Sequence, residues 1–172
     1  MRIDICGSVG SGKTTLARQL AAIYQMPLCE KDEVVWQRDA AGDCKREPTE
    51  RDRLFAEFLA QTDWVTEGTP RKILRESFRE ADLILFLETP LVLRLKRILF
   101  RWYRQRQGKA AFGAVPDLRM LRACLKWTCN YPNDRRQLLQ WLTDEGLQDK
   151  LVTVRNPAAA RNLIEQRRDL LR

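Results

Sequence analysis

The chain has 172 residues, a length that fits one compact domain. It is 44% hydrophobic and 31% charged, with five tryptophans for a core, five cysteines without a CxxC pair, and no histidine. That composition argues against a zinc site or a disulfide scaffold and for reduced thiols in the cytoplasm. The formal charge of +8 is concentrated: Arg94 to Arg136 holds twelve Lys/Arg against two Asp/Glu, and the remainder holds 19 against 21. Such a block reads as a solvated face, a phosphate clamp or a nucleic-acid surface.

In chain order, "RIDICG" predicts a strand and "GKTTLARQLAAIYQ" a helix with Leu16, Leu20 and Ile23 on one face. "PLCE" predicts a short second strand, followed by a loop that carries Asp32. "TERDRLFAEFLAQT" reads as a helix opened by Thr49, with Asp52 at capping-box spacing. "DWVTEG" is a strand ending at Gly68, "KILRESFREA" a helix, and "DLILFLE" a near-continuous apolar strand of the kind buried on both faces. "PLVLRLKRILFRWYRQ" predicts a helix with proline at its first position and an apolar stripe of Leu95, Ile98, Leu99 and Trp102. "DLRMLRACLKWT" and "RRQLLQWLTDE" read as two further helices, "KLVTVR" as the closing strand and "PAAARNLIEQRRDLLR" as the last helix. The largely apolar run after Arg2 is five residues and interrupted by Asp4, shorter than a signal-peptide h-region of about 7–15. "LILFL", the longest such run elsewhere, is far short of the ~20 residues of a membrane span. No membrane partner is expected.

Strands alternating with helices predict a parallel α/β sheet with right-handed crossovers, whose ligands bind beyond the carboxyl ends of the strands. Gly7 onward, Glu30 to Asp32, Glu67 to Arg71, Glu88 and Arg155 to Pro157 should then share one rim. The first of these stretches, "GSVGSGKTT", matches G-x-x-x-x-G-K-[ST] between an apolar strand and a helix. Several backbone N–H groups must converge on one anion there, which needs the φ/ψ freedom and close approach of glycine, and the helix adds its positive dipole end. Gly7, Ser8, Gly10, Ser11, Gly12, Lys13, Thr14 and Thr15 are therefore assigned to the phosphates of ATP, with Lys13 on the β/γ-phosphates and the Thr14 hydroxyl on Mg²⁺. A P-loop alone does not say how the nucleotide is used. The chain is short for a motor, and it carries no N-K-x-D base-reading motif.

"EGTPR", Glu67 to Arg71, resembles the acid–Gly–x–Pro–Arg segment of nucleoside monophosphate kinases, adenylate kinase among them. The chain as a whole resembles the small P-loop proteins called DNA topology modulation proteins, which are built like adenylate kinases. The resemblance runs through the P-loop, Asp32 and Trp36, "DWVTEG", "EADLILFLETP", an Arg-rich lid, "LKWTCNYPNDRR" and "VTVRNPAAARNLIE". It departs from that family at Glu67-Gly68-Thr69-Pro70, where Asp-Gly ahead of an Asn-Tyr-like pair is usual. The resemblance implies a single three-layer α/β/α domain over 1–172, with a five-stranded parallel sheet in the order 2-3-1-4-5. It also implies an acceptor-binding insertion at about 36–62 and a basic helical lid at about 94–136.

Phosphoryl transfer asks a protein mainly for positioning and positive charge. Arg94, Arg97, Arg101 and Arg104 recur at spacings of three and four, which puts several on one helix face. If that face turns to the P-loop it is a lid that excludes water, and Arg97, Arg101, Arg135 and Arg136 are its candidate phosphate contacts. Asp32 could be a general base, an outer-shell Mg²⁺ support or a plain loop acid. The resemblance makes Glu67 the Mg²⁺-side acid, directly or through water, and Arg71 the clamp on an acceptor phosphate. Arg75 and Trp36 stand beside them as candidate acceptor contacts, and Arg155 as a flat partner for the adenine. These residues point to transfer of the γ-phosphoryl of Mg-ATP to a small acceptor, a nucleotide or nucleoside by preference. The alternative is a nucleotide-binding protein whose basic segment engages DNA, a reading with no helix-turn-helix, RRM or zinc-finger signature behind it.

Overall fold

The structure is a computed structural model that describes residues 1–39, 42–107 and 118–169. Five parallel strands form the main sheet: β1 (Arg2–Gly7), β2 (Leu28–Glu30), β5 (Trp64–Gly68), β6 (Leu83–Leu87) and β7 (Leu151–Val154). They lie side by side as β2-β5-β1-β6-β7. Counted among themselves these strands run 2-3-1-4-5, the expected order. The labels differ because a separate antiparallel hairpin, β3 (Trp36–Asp39) and β4 (Gly42–Lys45), intervenes. That hairpin was not foreseen; it occupies the start of the segment expected to bind the acceptor.

Side chains of β1 alternate between two cores, as the period of a strand requires. Ile3 and Ile5 pack with Leu16, Ala17 and Leu20 of α1 (Lys13–Tyr24) and with Ala160 and Ile164 of α7 (Pro157–Asp169). Cys6 faces the other way, toward Phe55 and Leu59 of α3 (Pro48–Leu59), Phe78 of α4 (Glu76–Glu80), and Tyr131, Leu138 and Leu142 of α6 (Leu118–Asp144). The result is an α/β/α sandwich, and β5 and β6 are buried along their whole length because helices cover both faces. The register sets Cys6 beside Gly68 and Gly7 beside Leu87. The ends of three strands therefore converge next to the loop that leaves β1.

Several local expectations change. Ile23 is 55% exposed, and Ala17 takes its place on the buried face of α1. Helix α3 starts at Pro48 with Glu47 as its cap residue and no side-chain cap bond, so the Thr49/Asp52 capping box does not form; proline's fixed φ starts the helix one residue earlier. Asp32 sits not in a loop but in a short helix, α2 (Lys31–Val35). The stretch after β5 divides into a 3₁₀ turn (Lys72–Leu74) and α4. Pro90 caps α5 (Leu91–Arg106) from just outside rather than opening it. The two helices expected on either side of "YPND" are one, α6, which continues through Pro132. Proline there removes only the N–H bond to the Thr128 carbonyl. Burial of Cys124, Thr128 and Tyr131 on one side of it and Leu138 and Leu142 on the other keeps a single axis. Among the described residues no helix is long and apolar enough to cross a membrane. The tip of the expected lid, 108–117, which includes Lys109, lies outside them.

Candidate functional site

The loop from Gly7 to Gly12 follows the central strand, where the chain's crossovers part to either side of the sheet, the position at which open α/β sheets bind ligands. Gly10 and Gly12 hold φ values of +74° and +99°, which side chains with a Cβ adopt only at a cost. Gly12 is also the cap residue of α1, whose first turn carries no acid. The positive end of that helix is left to an outside anion. Lys13 is buried and its ammonium donates to the Ser8 carbonyl at 2.9 Å. Burial lowers its pKa, an effect opposed by the nearby Glu67 and Asp32 carboxylates.

Thr14 leaves the first turn of α1 toward the end of β5, and its Oγ1 donates to Glu67 Oε1 at 2.7 Å. Glu67 is 6% exposed, and desolvation raises its pKa against the opposing pull of Lys13 and the Thr14 hydroxyl. A hydroxyl and a carboxylate held side by side next to an anion cradle are hard oxygen donors of the type Mg²⁺ takes, so these residues fit that ion. Beyond Glu67, Arg71 donates to Asp32 Oδ1 at 2.6 Å, which joins two of the four candidate acceptor residues across the rim. Pro70, Arg71, Lys72 and Arg75 line one wall of a shallow groove, and Asp134, Gln137 and Leu138 of α6 form the other. The Arg75 guanidinium also stacks over Trp141 at 4.2 Å. Trp36 is 39% exposed at the start of the hairpin.

Helix α5 turns Arg94 and Arg97 toward the P-loop. Arg97 donates to the Ser11 carbonyl at 2.7 Å and to the Gly10 carbonyl at 3.3 Å, so it braces the outside of the cradle. Arg101 lies 3.9 Å from Cys124 Sγ on α6 and contributes to the positive field at Lys13. Arg135 pairs with Glu88 at 2.8 Å and lies over the Phe86 ring. Arg136 is exposed on α6, Arg155 is exposed at the end of β7, and Thr15 is exposed in the first turn of α1. Of the expected stripe on α5, Ile98 is buried and Leu95 and Trp102 are half-buried, whereas Leu99 is 49% exposed and Arg94 is buried instead.

Three supports escaped the sequence reading. Arg94, 7% exposed, bonds the Ser8 hydroxyl and lies over the Tyr131 ring; desolvation lowers its pKa. Its place in the three-and-four arginine series was the available signal. Thr89 Oγ1 donates to the Ser11 carbonyl at 2.9 Å. Asp4 and Lys31 form a fully buried ion pair at 2.5 Å, and Lys31 packs so tightly on Gly68 that a Cβ there would lie 2.8 Å from its own. An acid inside the apolar run "RIDIC" announced that some cation had to come in.

The fold and this cradle together define a P-loop nucleotide-binding protein of kinase-like build. More specifically, the chain belongs to the AAA domain family, which matches residues 3–114. Among solved structures it is similar to an uncharacterized protein from Eubacterium ventriosum, at TM-score 0.56 and 15% identity over 98% of each chain. It is also similar to shikimate kinase from Acinetobacter baumannii in complex with shikimate, at TM-score 0.51 and 20% identity over 99% of this chain and 92% of that one. At these identities the likeness shows the fold. A search of curated proteins found no match.

Proposed function

We propose that the protein is an ATP-dependent phosphotransferase of adenylate-kinase-like build, of the DNA topology modulation type, that transfers the γ-phosphoryl of Mg-ATP to a small acceptor. The observation that carries this reading is the Thr14–Glu67 contact at 2.7 Å beside the glycine cradle, with the Asp32–Arg71 pair next along the rim. Bound Mg²⁺ would neutralise developing phosphate charge, with Thr14 and Glu67 to hold it. Lys13, released from the Ser8 carbonyl, serves as the point charge on the phosphates, and the inward face of α5 fixes the cradle around them. Arg101, Arg135 and Arg136 supply positive charge as the region 94–136 acts as a lid, and Arg155 flanks the base. A closed lid keeps water from competing with the acceptor.

Asp32, on the rim and paired with Arg71, is the residue assigned here to an acceptor hydroxyl. Arg71, Lys72 and Arg75 on one wall of the neighbouring groove favour an acceptor with an anionic group, as a nucleotide has. Nucleosides remain in the acceptor panel, since hydroxyl recognition at Asp32 and Trp36 does not need the phosphate. The region 36–62 is taken as the acceptor side of a single domain that works in the cytoplasm. With Mg-ATP, a panel of nucleotides, nucleosides and small hydroxy acids should reveal acceptor-stimulated ADP release. Lys13→Ala and Arg101→Ala should each lower that release about 100-fold or more. Release indifferent to every acceptor and to Lys13→Ala would defeat the proposal.

One observation favours a second reading, in which the basic segment engages DNA: the +10 balance between Arg94 and Arg136. Against it, Arg94 and Arg97 are committed to the P-loop and Arg135 to Glu88. DNA binding with a steep salt dependence, abolished by charge reversal on α6, would favour this second reading over the first.

A further inference from the structure

The outward face of α5 does not look like a solvated helix surface. Val92, Leu99, Phe100 and Tyr103 are exposed by 79, 49, 61 and 55%. Val92, Lys96, Leu99 and Tyr103 follow one another at steps of four, three and four, so they form a continuous stripe opposite Arg94, Arg97 and Arg101. Phe100 widens that stripe, and Arg104 and Arg106 fall along its edges. Arg94 and Arg97, which brace the P-loop, thus turn in beside Ile98, while these four apolar side chains point out. Exposed apolar side chains gathered in a stripe on a basic element mark a contact site.

We propose that this face binds an anionic lipid surface, with α5 lying in the headgroup region and its apolar stripe entering the acyl boundary. Charge selects the occupant. There is no Asp or Glu from Thr89 to Pro116, and the surrounding segment carries +10 while the rest of the chain sums to −2. The charge is thus uneven along the chain, and an anionic surface draws the basic segment that contains α5. A second copy of the chain would set the same Lys96 and arginine-edged stripe against itself, like charge on like. Duplex DNA would answer the charge but offers nothing to four exposed apolar side chains. An amphipathic helix with basic edges and Leu, Phe and Tyr on its apolar face matches the chemistry of a bilayer interface. Such binding needs no span, and it does not depend on the reaction proposed for the P-loop.

The full chain is tested by flotation with vesicles of phosphatidylcholine, alone and mixed with phosphatidylglycerol, over a range of salt. Wild type should float with the mixed vesicles only, and less as salt rises. The triple variant Val92→Ser, Leu99→Ser, Phe100→Ser should lower partitioning about tenfold or more while its thermal melt stays that of a folded protein. Lys96→Glu should lower partitioning on its own. The proposal is overturned if wild type ignores the mixed vesicles or if the triple variant floats as well as wild type. It is equally overturned if the triple substitution instead abolishes self-association seen by sedimentation, or abolishes binding to duplex DNA.

Discussion

Gly10 and Gly146 offer a matched pair for testing how closely the P-loop is held to α5. Their φ values are +74° and +69°, so alanine at either position meets a similar backbone cost, about 1–2 kcal/mol. Their surroundings differ. A Cβ on Gly10 would lie 2.9 Å from the Arg94 carbonyl oxygen and 3.1 Å from Ile98 Cγ1, both on α5. The first is helix backbone and cannot rotate away. A Cβ on Gly146 would have nothing within 4 Å. Gly146 ends α6 in a Schellman arrangement, with the Leu147 N–H on the Leu142 carbonyl at 2.8 Å. Gly146→Ala should therefore cost only the left-handed penalty. Gly10→Ala should add an overpacking cost of about 1–3 kcal/mol, for about 2–5 kcal/mol in all. Urea unfolding followed by circular dichroism, with m-values held in common, measures the difference directly. ATP titration should show Gly10→Ala about tenfold or more weaker and Gly146→Ala at wild-type strength. Equal destabilisation by the two substitutions would refute the close seating of the loop on α5.

Other expectations follow from the same geometry. Thr14→Val removes the hydroxyl beside Glu67 and should weaken ATP binding about tenfold in the presence of Mg²⁺ but little in EDTA; calorimetry under both conditions checks it. Asp4→Ala leaves Lys31 charged and buried and should cost about 3–5 kcal/mol, whereas adding Lys31→Met should recover most of the loss, an energetic coupling that a double-mutant cycle reads. Burial raises the Cys29 thiol from 9.0 to about 12, and it pushes the Cys6 thiol and the Tyr131 hydroxyl upward as well. Because these folded-state values are raised, the unfolded chain loses protons first, as pH climbs past 9 for the two cysteines and past 10 for Tyr131. Each group's stabilising contribution is complete below its own starting point and is lost at up to ~1.4 kcal/mol per pH unit above it, for Cys29 until about pH 12. Chemical unfolding between pH 8 and 11 should show that fall; a flat profile would contradict the burial of these groups.

What the sequence disclosed, and what it withheld, divides along the range of the forces involved. The P-loop was legible because its demands are local: backbone angles, a helix start and two side chains within eight residues. The strands were legible because burial on both faces leaves long apolar runs such as "LILFL". Pro132 misled because its local penalty is real but smaller than the packing that α6 gains on either side of it. Glu67 could be proposed from a resemblance, but its contact with Thr14 depends on the register that lays Cys6 beside Gly68, which no short window contains. The partner of Asp4 likewise lies 27 residues on, across the sheet.

Helix α5 shows why periodicity alone set the buried face somewhat off: Ile98 is buried as expected, but Leu99 is not. Its apolar residues and its arginines both recur at helical spacing, so the pattern supports more than one orientation. Hydrophobicity favours burying Leu99 with Leu95 and Trp102. The cradle decides otherwise for Leu99, because the carbonyls of Gly10 and Ser11 face α5 and Arg97 donates to both. Arg94 is drawn in with it, where the Ser8 hydroxyl and the face of Tyr131 offset part of its desolvation. Once those two are turned inward, Val92, Leu99 and Tyr103 have only the outside left to them. The exposed stripe is thus a geometric consequence of bracing the P-loop with arginine, and any partner of that stripe is seated on the same helix that shapes the nucleotide site.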